Sequence, residues 1–449
     1  MTSTSGNADR FRSPHRSGAE FTPLLQQEPG DRRQQLRNWL ADCRTGTLSL
    51  VEGIDRPTLI QQAHPDFSPI GWHLGHIAFT EALWILERTA DQPPQFPAYR
   101  RLFAAGELPK AERQQLPELA EILHYLSTVR AQVLAYLETA PIPQQERLWL
   151  WLLQHESQHG ETITLVQQLH DLNHRQGQFT RFREDAPTGA IALSQSTQES
   201  ALASEMVYVA AGAFEMGSGA IAAQDNERPP YWVELADYWI DRYPVTCAQY
   251  AAFMAAGGYQ NPDWWSPEGW DWLQHNPVAQ PLYWVDSPDW HDHPVYGVSW
   301  YEADAYARFA GKRLPTEAEW EKSATWHPQL QQKQRYPWGN TDPSSIHCNH
   351  SHQVGHTTPV HSYPAGASPS GCEDLLGNVW EWTASGFDGY AGFTPYLYTG
   401  YSQIYFDGKH KVLRGGSWAT RPWALRATFR NWYEPDVRQI LAGFRCATN

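Results

Sequence analysis

Two histidines stand four residues apart in His155-Glu-Ser-Gln-His159, close to one turn of an α-helix. At that spacing both imidazoles leave one face of a helix and can reach a single metal ion. A second pair, His73 and His76, occurs upstream in Trp72-His-Leu-Gly-His-Ile77. With His76 as a third ligand, neutral nitrogens would fill three positions and leave others open, which is how catalytic metal sites differ from structural ones. Imidazole suits zinc, copper, iron and nickel, so the ligands by themselves leave the metal open. Taken alone, His155 and His159 are as well explained as ordinary histidines of an amphipathic helix. The second pair, at the start of another expected helix, is what favours a shared site. His73 is then expected behind the ligands or at the surface. Glu156 and Glu161 flank the pair, and one of them is expected to orient a ligating ring.

Such a site needs helices held face to face, and the apolar periodicity supplies them. One stripe starts at Arg33, a second runs over 73–87, a third over 119–137 and a fourth over 144–169. Pro65, Pro69, Pro93, Pro94, Pro97, Pro141 and Pro143 fall between these stretches and punctuate them. Residues 31–172 therefore predict an up-and-down four-helix bundle, a fold that builds metal sites from facing helices. Residues 1–30 are polar and rich in Pro, Ser and Gly, and are expected to form a disordered tail. Residues 173–203 lack periodicity and read as a linker. From 204 to 449 the character changes. Short alternating segments such as Met206-Val-Tyr-Val and Tyr231-Trp-Val-Glu-Leu sit among turn residues, with short helices expected over 246–255 and 301–310. No tandem repeat is visible. The class is multidomain, α followed by α+β.

Composition agrees with two domains in 449 residues. The 22 Trp and 21 Tyr predict cores built from large rings. A net charge of −15 with no basic stripe argues against a nucleic-acid partner. Arg10, Arg12, Arg16, Arg32, Arg33 and Arg37 belong to the tail and its border. Five scattered cysteines without C-x-x-C spacing fit a reducing compartment, so a cytoplasmic location is expected. The first residues show no apolar signal region, and no run of about 18 apolar residues predicts a membrane span.

The second half carries an ordered series of motifs. They include Ala210-Ala-Gly-Ala-Phe-Glu-Met-Gly-Ser218, Asp225-Asn-Glu-Arg-Pro-Pro230, Pro294-Val-Tyr-Gly-Val-Ser-Trp300 and Gly311-Lys-Arg-Leu-Pro-Thr-Glu-Ala-Glu-Trp320. Further on come Asp374-Leu-Leu-Gly-Asn-Val-Trp-Glu-Trp382, Leu413-Arg-Gly-Gly-Ser-Trp418 and Ala442-Gly-Phe-Arg445. Physically these are turn and packing devices, with Glu319 and Glu381 expected to pair with Arg313 or Arg414. Their order and spacing resemble the formylglycine-generating-enzyme-like (sulfatase-modifying-factor) fold, a C-type-lectin-related α+β domain. Formylglycine-generating enzymes bind copper through a cysteine pair near the C-terminus. No cysteine lies between Cys372 and Cys446 here, which argues against that chemistry.

The first half resembles the DinB-like four-helix metal-binding domain through Trp72–Ile77 and His155–Thr162. The fusion of the two resembles the ergothioneine-biosynthesis sulfoxide synthases of EgtB type. That resemblance implies a non-heme Fe(II) enzyme. It would use O2 to join a cysteine thiol to the imidazole C2 of hercynine (Nα-trimethylhistidine), giving a sulfoxide. It implies His76, His155 and His159 as iron ligands, Gln158 on the substrate imidazole, and Asn431 and Trp432 at the trimethylated end. Tyr396 and Tyr398 fall where the family carries an active-site tyrosine, as proton donor. Members that take γ-glutamylcysteine carry an Asp and an Arg after the Asn-Trp pair, where Tyr433 and Val437 stand here. Asp436 and Arg438 would compensate, or are solvated turn residues. The departure favours free cysteine over γ-glutamylcysteine as donor. The rivals are an ovothiol-type or selenoneine-type synthase and, from another class, a non-catalytic lectin-like binding protein.

Overall fold

The computed structural model describes residues 29–179 and 205–449. The chain forms two compact units, residues 24–189 with 220–224, and the remainder.

The first unit is helical. Its long helices are α1 (Pro29–Ser49), α3 (Ile70–Glu81), α5 (Leu119–Leu137) and α6 (Ile142–Phe179), with short α2 (Arg56–Ile60) and α4 (Arg100–Phe103) between them. On α5 the buried positions are Ile122, Tyr125, Leu126, Val129, Val133 and Leu137, the stripe that a 3.6-residue repeat lays on a core. Every residue of α3 is buried, so it runs through the interior of its unit. It continues as a π-helical stretch, Ala82–Glu87, closed by Arg88 N–H to the Leu83 carbonyl and Ala90 N–H to that of Ile85.

Each of the four long helices contributes one charge to a buried ring. Arg44 (α1) donates to Glu156 (α6) at 2.8 Å and to Glu81 (α3) at 3.1 Å. Arg130 (α5) donates to Glu81 at 3.1 Å and to Glu156 at 2.7 Å. Two cations and two anions cancel, which is what makes such burial tolerable. Glu156 is thereby committed to arginines and does not orient a histidine, contrary to one of the two choices the sequence left open.

Two boundaries differ from expectation. Helix α1 begins at Pro29, inside the expected tail; proline suits the first turn because its missing N–H has no intrahelical acceptor there. Helix α6 continues to Phe179, seven residues into the expected linker. Asn173-His-Arg-Gln-Gly-Gln-Phe has no proline to stop it, and its polar character hid it from a reading based on apolar period. The rest of the expected tail and linker lies outside the described residues. The stretch 220–224 belongs to this unit: Gln154 on α6 donates to the Ala222 carbonyl at 2.9 Å and accepts from Gln224 at 2.7 Å.

The second unit has small sheets and short helices. Strands β1 (Met206–Val209), β4 (Tyr238–Asp241) and β11 (Ala447–Thr448) form one sheet in the order β1-β4-β11. Strands β2 (Gly212–Met216) and β3 (Tyr231–Leu235) pair in a hairpin, as do β5 (Trp326–His327) and β6 (Gln332–Lys333). The sheet that matters most here is β10-β7-β8-β9, from β7 (Trp380–Gly386), β8 (Lys411–Arg414), β9 (Asn431–Tyr433) and β10 (Ala442–Gly443). Its register sets Trp432 opposite Val412.

Helices α7 (Cys247–Ala255), α8 (Pro267–His275), α9 (Trp300–Phe309) and α10 (Glu317–Thr325) start at caps legible in sequence. Thr246 with Gln249, Ser299 with Glu302 and Thr316 with Glu319 each close a capping box. The core is aromatic, with Trp320, Trp382, Tyr238, Tyr250 and Phe253 sealed from water. Glu319 pairs with Arg313 at 2.7 Å, as expected. Glu381 instead takes Arg445 at 2.7 Å, and Arg414 turns to Glu321 and Glu317. Glu381 and Arg414 are register partners on β7 and β8, yet each finds a buried partner off the ladder. Among the described residues, no helix is long and apolar enough to cross a membrane.

Candidate metal centre

Helix α3 presents His76 and helix α6 presents His155 and His159. One nitrogen of each lies within 4.8 Å of the others. Among the described residues this is the group of histidines, cysteines and carboxylates that could hold a metal. The ring centres are 5.2 Å apart for His76 and His155, 4.8 Å for His76 and His159, and 4.5 Å for His155 and His159. The histidine spacing in the sequence had anticipated this convergence.

Neighbouring rings and carbonyls set the orientation of each imidazole. Trp72 stacks on His76 at 4.6 Å and Trp151 stacks on His155 at 5.1 Å. His76 Nδ1–H donates to the Phe103 carbonyl at 2.6 Å, which leaves Nε2 as its free electron pair. His159 Nδ1 lies 2.9 Å from His73 Nδ1, which again leaves Nε2. A carbonyl of a short helix and a fourth histidine thus stand behind His76 and His159, where the sequence had pointed to Glu156 or Glu161 as the orienting group. No periodicity in the sequence points to Phe103, which is 27 residues from His76.

Burial and the proximity of other imidazoles keep the rings neutral. His76 is pulled down to about 4, chiefly by burial, and His73 to about 3 by burial and the neighbouring His76. His155 and His159 are held well below the usual histidine range by burial and by each other or His76. Neutral imidazole is the ligating form, so His76, His155 and His159 fit a first-row divalent ion without prior loss of protons.

Gly75 makes the Phe103 contact possible. A Cβ at residue 75 would lie 2.1 Å from the Phe103 ring, which is fully buried against Tyr99 and Tyr125. Gly75→Ala would favour the helix by about 1 kcal/mol but overpack the site by about 1–3 kcal/mol. The expected result is a lower melting temperature together with weaker metal uptake, as the Phe103 carbonyl is pushed off His76. A variant with unchanged metal affinity would mean that the carbonyl contact does not matter.

In the second unit Trp432 sits in an aromatic group. It stacks on Phe387 at 4.3 Å and 7°, and meets Tyr401 edge-on at 5.9 Å and Tyr405 at 5.5 Å. Asn431 turns its side-chain oxygen onto the Trp432 N–H at 2.9 Å. The tyrosines at Trp432 are thus Tyr401 and Tyr405, which the sequence reading passed over. Tyr396 is half-buried, its N–H held by Asp225 at 3.2 Å, and Tyr398 is 40% exposed. Gln158, on α6 between the histidines, is half-buried.

The Arg438 guanidinium is buried and donates to Glu302 at 2.8 and 3.0 Å, where Tyr259 also donates at 2.6 Å, so Arg438 is not a solvated turn residue. Asp436 is exposed. The five cysteines are free and buried, and burial pushes the Cys247 thiol up to about 12. They offer no exposed thiol pair for copper.

A helical bundle with a three-histidine cluster, joined to an α+β unit of short strands and ring-filled core, defines a two-domain class. Residues 40–163 match the DinB superfamily, and residues 192–449 match the sulfatase-modifying factor enzyme 1-like domain. The hercynine oxygenase of Mycolicibacterium smegmatis is 39% identical over 438 residues, covering 92% of this chain and 99% of that protein. The hercynine oxygenase of Mycobacterium tuberculosis is 39% identical over 434 residues, covering 92% and 98%. A formylglycine-generating enzyme of Thermomonospora curvata is 34% identical over 301 residues, covering 57% of this chain and 96% of its own. The chain belongs to the hercynine oxygenase family, and is an enzyme of the oxidoreductase class.

Proposed function

We propose that the chain holds a ferrous ion on His76, His155 and His159 and uses O2 to join the sulfur of cysteine to the imidazole C2 of hercynine. The product would be a sulfoxide on the route to ergothioneine. The observation that carries this reading is the convergence of three neutral, ring-clamped imidazoles in one buried place. The relatives named for hercynine supply the substrate. An ion bound by three imidazoles keeps open coordination positions and supplies one-electron chemistry toward dioxygen.

The protein's own groups account for the rest. Gln158 extends from the helix that carries the histidine pair, and its amide can orient an acceptor imidazole by hydrogen bonding. A trimethylammonium cannot donate hydrogen bonds, so ring faces are its natural partner, and Trp432 with Phe387, Tyr401 and Tyr405 supplies them. Burial pushes the Tyr398 phenol up to about 12 and raises that of Tyr405. Both stay protonated at neutral pH and can give a proton as oxygen is reduced. Free cysteine is the proposed donor, since Arg438 is committed to Glu302. A cytoplasmic site of action belongs to the same reading, on the strength of five free, buried thiols.

The test is oxygen uptake by iron-loaded protein with hercynine and either cysteine or γ-glutamylcysteine, with product masses recorded. Uptake with histidine in place of hercynine, with the thiol present, would point to an ovothiol-type enzyme, and no uptake with any pair would favour a binding protein. Trp432→Ala should raise the KM for hercynine about 5- to 30-fold, corresponding to about 1–2 kcal/mol of cation–π attraction. The KM for the thiol should hold. An equal rise in both would remove the ammonium role.

A further inference from the structure

We infer that His73 is a positioning residue that accepts a hydrogen bond from His159 and so fixes which nitrogen of His159 meets the metal. This rests on the metal reading proposed above.

The geometry is direct. The two Nδ1 atoms are 2.9 Å apart, so one carries the shared proton and the other accepts it. His159 can ligate through Nε2 only if its proton sits on Nδ1. His73 Nδ1 must then be the acceptor, with its own proton on Nε2. The surroundings of His73 agree. Its Nε2 is sealed from water and meets no hydrogen-bond partner, so the contact this ring makes through nitrogen is the one to His159. Nearby Arg113 lies 4.1 Å over the Trp72 ring and donates to the Ser68 hydroxyl at 2.9 Å. Trp72 in turn meets the His73 ring edge-on at 5.4 Å, which holds that ring in place. The chain of groups is thus His73, His159, metal. It is the counterpart of the carboxylate that commonly stands behind a ligating histidine, built from a neutral ring.

His73 and His159 stand at the same separation that two ligands of one ion could have, so the experiment must tell a positioning residue from a fourth ligand. Anaerobic titration with Co(II), read by its visible d–d bands, does so. Wild-type protein should bind one ion. His73→Phe should still bind one ion, about 10- to 100-fold more weakly and with shifted bands. His73→Asn returns an amide oxygen that can accept from His159 Nδ1–H, and should come within a few-fold of wild type. If His73→Phe matches wild type, or binds no cobalt at all as a ligand variant would, the inference is overturned while the metal reading stands. If wild-type protein takes up no cobalt, the metal reading fails and takes the inference with it. A His73→Asn variant no better than His73→Phe also counts against it, since the acceptor is then not what matters.

Discussion

His155→Ala should yield a folded protein that takes up no stoichiometric ferrous ion and loses turnover by at least roughly a thousandfold. The His155 ring centre lies 4.5 Å from that of His159 and 5.2 Å from that of His76. Two imidazoles remain after its removal, and neither His73 nor Glu156 can replace it. His73 is turned to His159, and Glu156 is held by Arg44 and Arg130. Folding should survive, because a buried neutral ring is removed without stranding a charge. Anaerobic iron analysis with circular dichroism and an oxygen electrode makes the measurement, and His124→Ala, an exposed residue of α5, is the control. Retained iron with retained turnover would end the ligand assignment.

Acid should unfold the metal-free bundle well before the second unit. Histidine in an unfolded chain titrates near 6.5. In the bundle His73 is depressed to about 3, His76 to about 4, and His155 and His159 well below the ordinary value, by burial first. The unfolded state then binds more protons below pH 6.5, so stability present above that pH is lost as pH falls. At pH 5.5 each ring costs about 1.4 kcal/mol, and four cost about 5–6 kcal/mol, much of a typical domain's stability. The second unit also holds depressed histidines, His350 at about 4 and His352 at about 3. It opposes them with Asp374, which burial raises to about 8, so that its folded form takes up a proton as pH falls. Between pH 7.5 and 5.5 His350 and His352 lose about 2.7 kcal/mol and Asp374 returns about as much. That leaves His293 and His347, also lowered by burial, unopposed there, as His170 is in the bundle. Ellipticity at 222 nm should therefore show the helical transition of metal-free protein moving down by roughly 10–20 °C over that range. A helical transition that stays level would mean these imidazoles are not kept neutral in the fold.

What could be read in advance follows from which interactions are local. The four long helices announce themselves because apolar residues repeat along 12 or more positions, 19 of them on α5. The histidine pair on α6 needs only helical pitch to converge, and His76 needs only that α3 face α6. The capping boxes of α7, α9 and α10 are likewise written in four consecutive residues. Contacts made across long stretches of chain were not legible. The carbonyl behind His76 comes from Phe103, and the partner of Glu381 is Arg445 rather than its ladder neighbour Arg414. Tyr401 and Tyr405, the rings at Trp432, lie just beyond the stretch that drew attention to Tyr396 and Tyr398, and no local pattern points to them. Arg438 read either as a thiol-donor contact or as a solvated turn residue. Its partner Glu302 lies 136 residues away.

The ring of Arg44, Glu81, Arg130 and Glu156 has a consequence for the histidines beside it. Glu81 lies five residues beyond His76 on its helix, and Glu156 directly follows His155. A one-residue slip of α3 or α6 along its axis would strand interior charges, at a cost of about 3–5 kcal/mol for each broken pair. The ring thus acts as a locating pin between the two metal-facing helices: the spacing of the imidazoles is locked by electrostatics from behind, with no ion needed to draw them together.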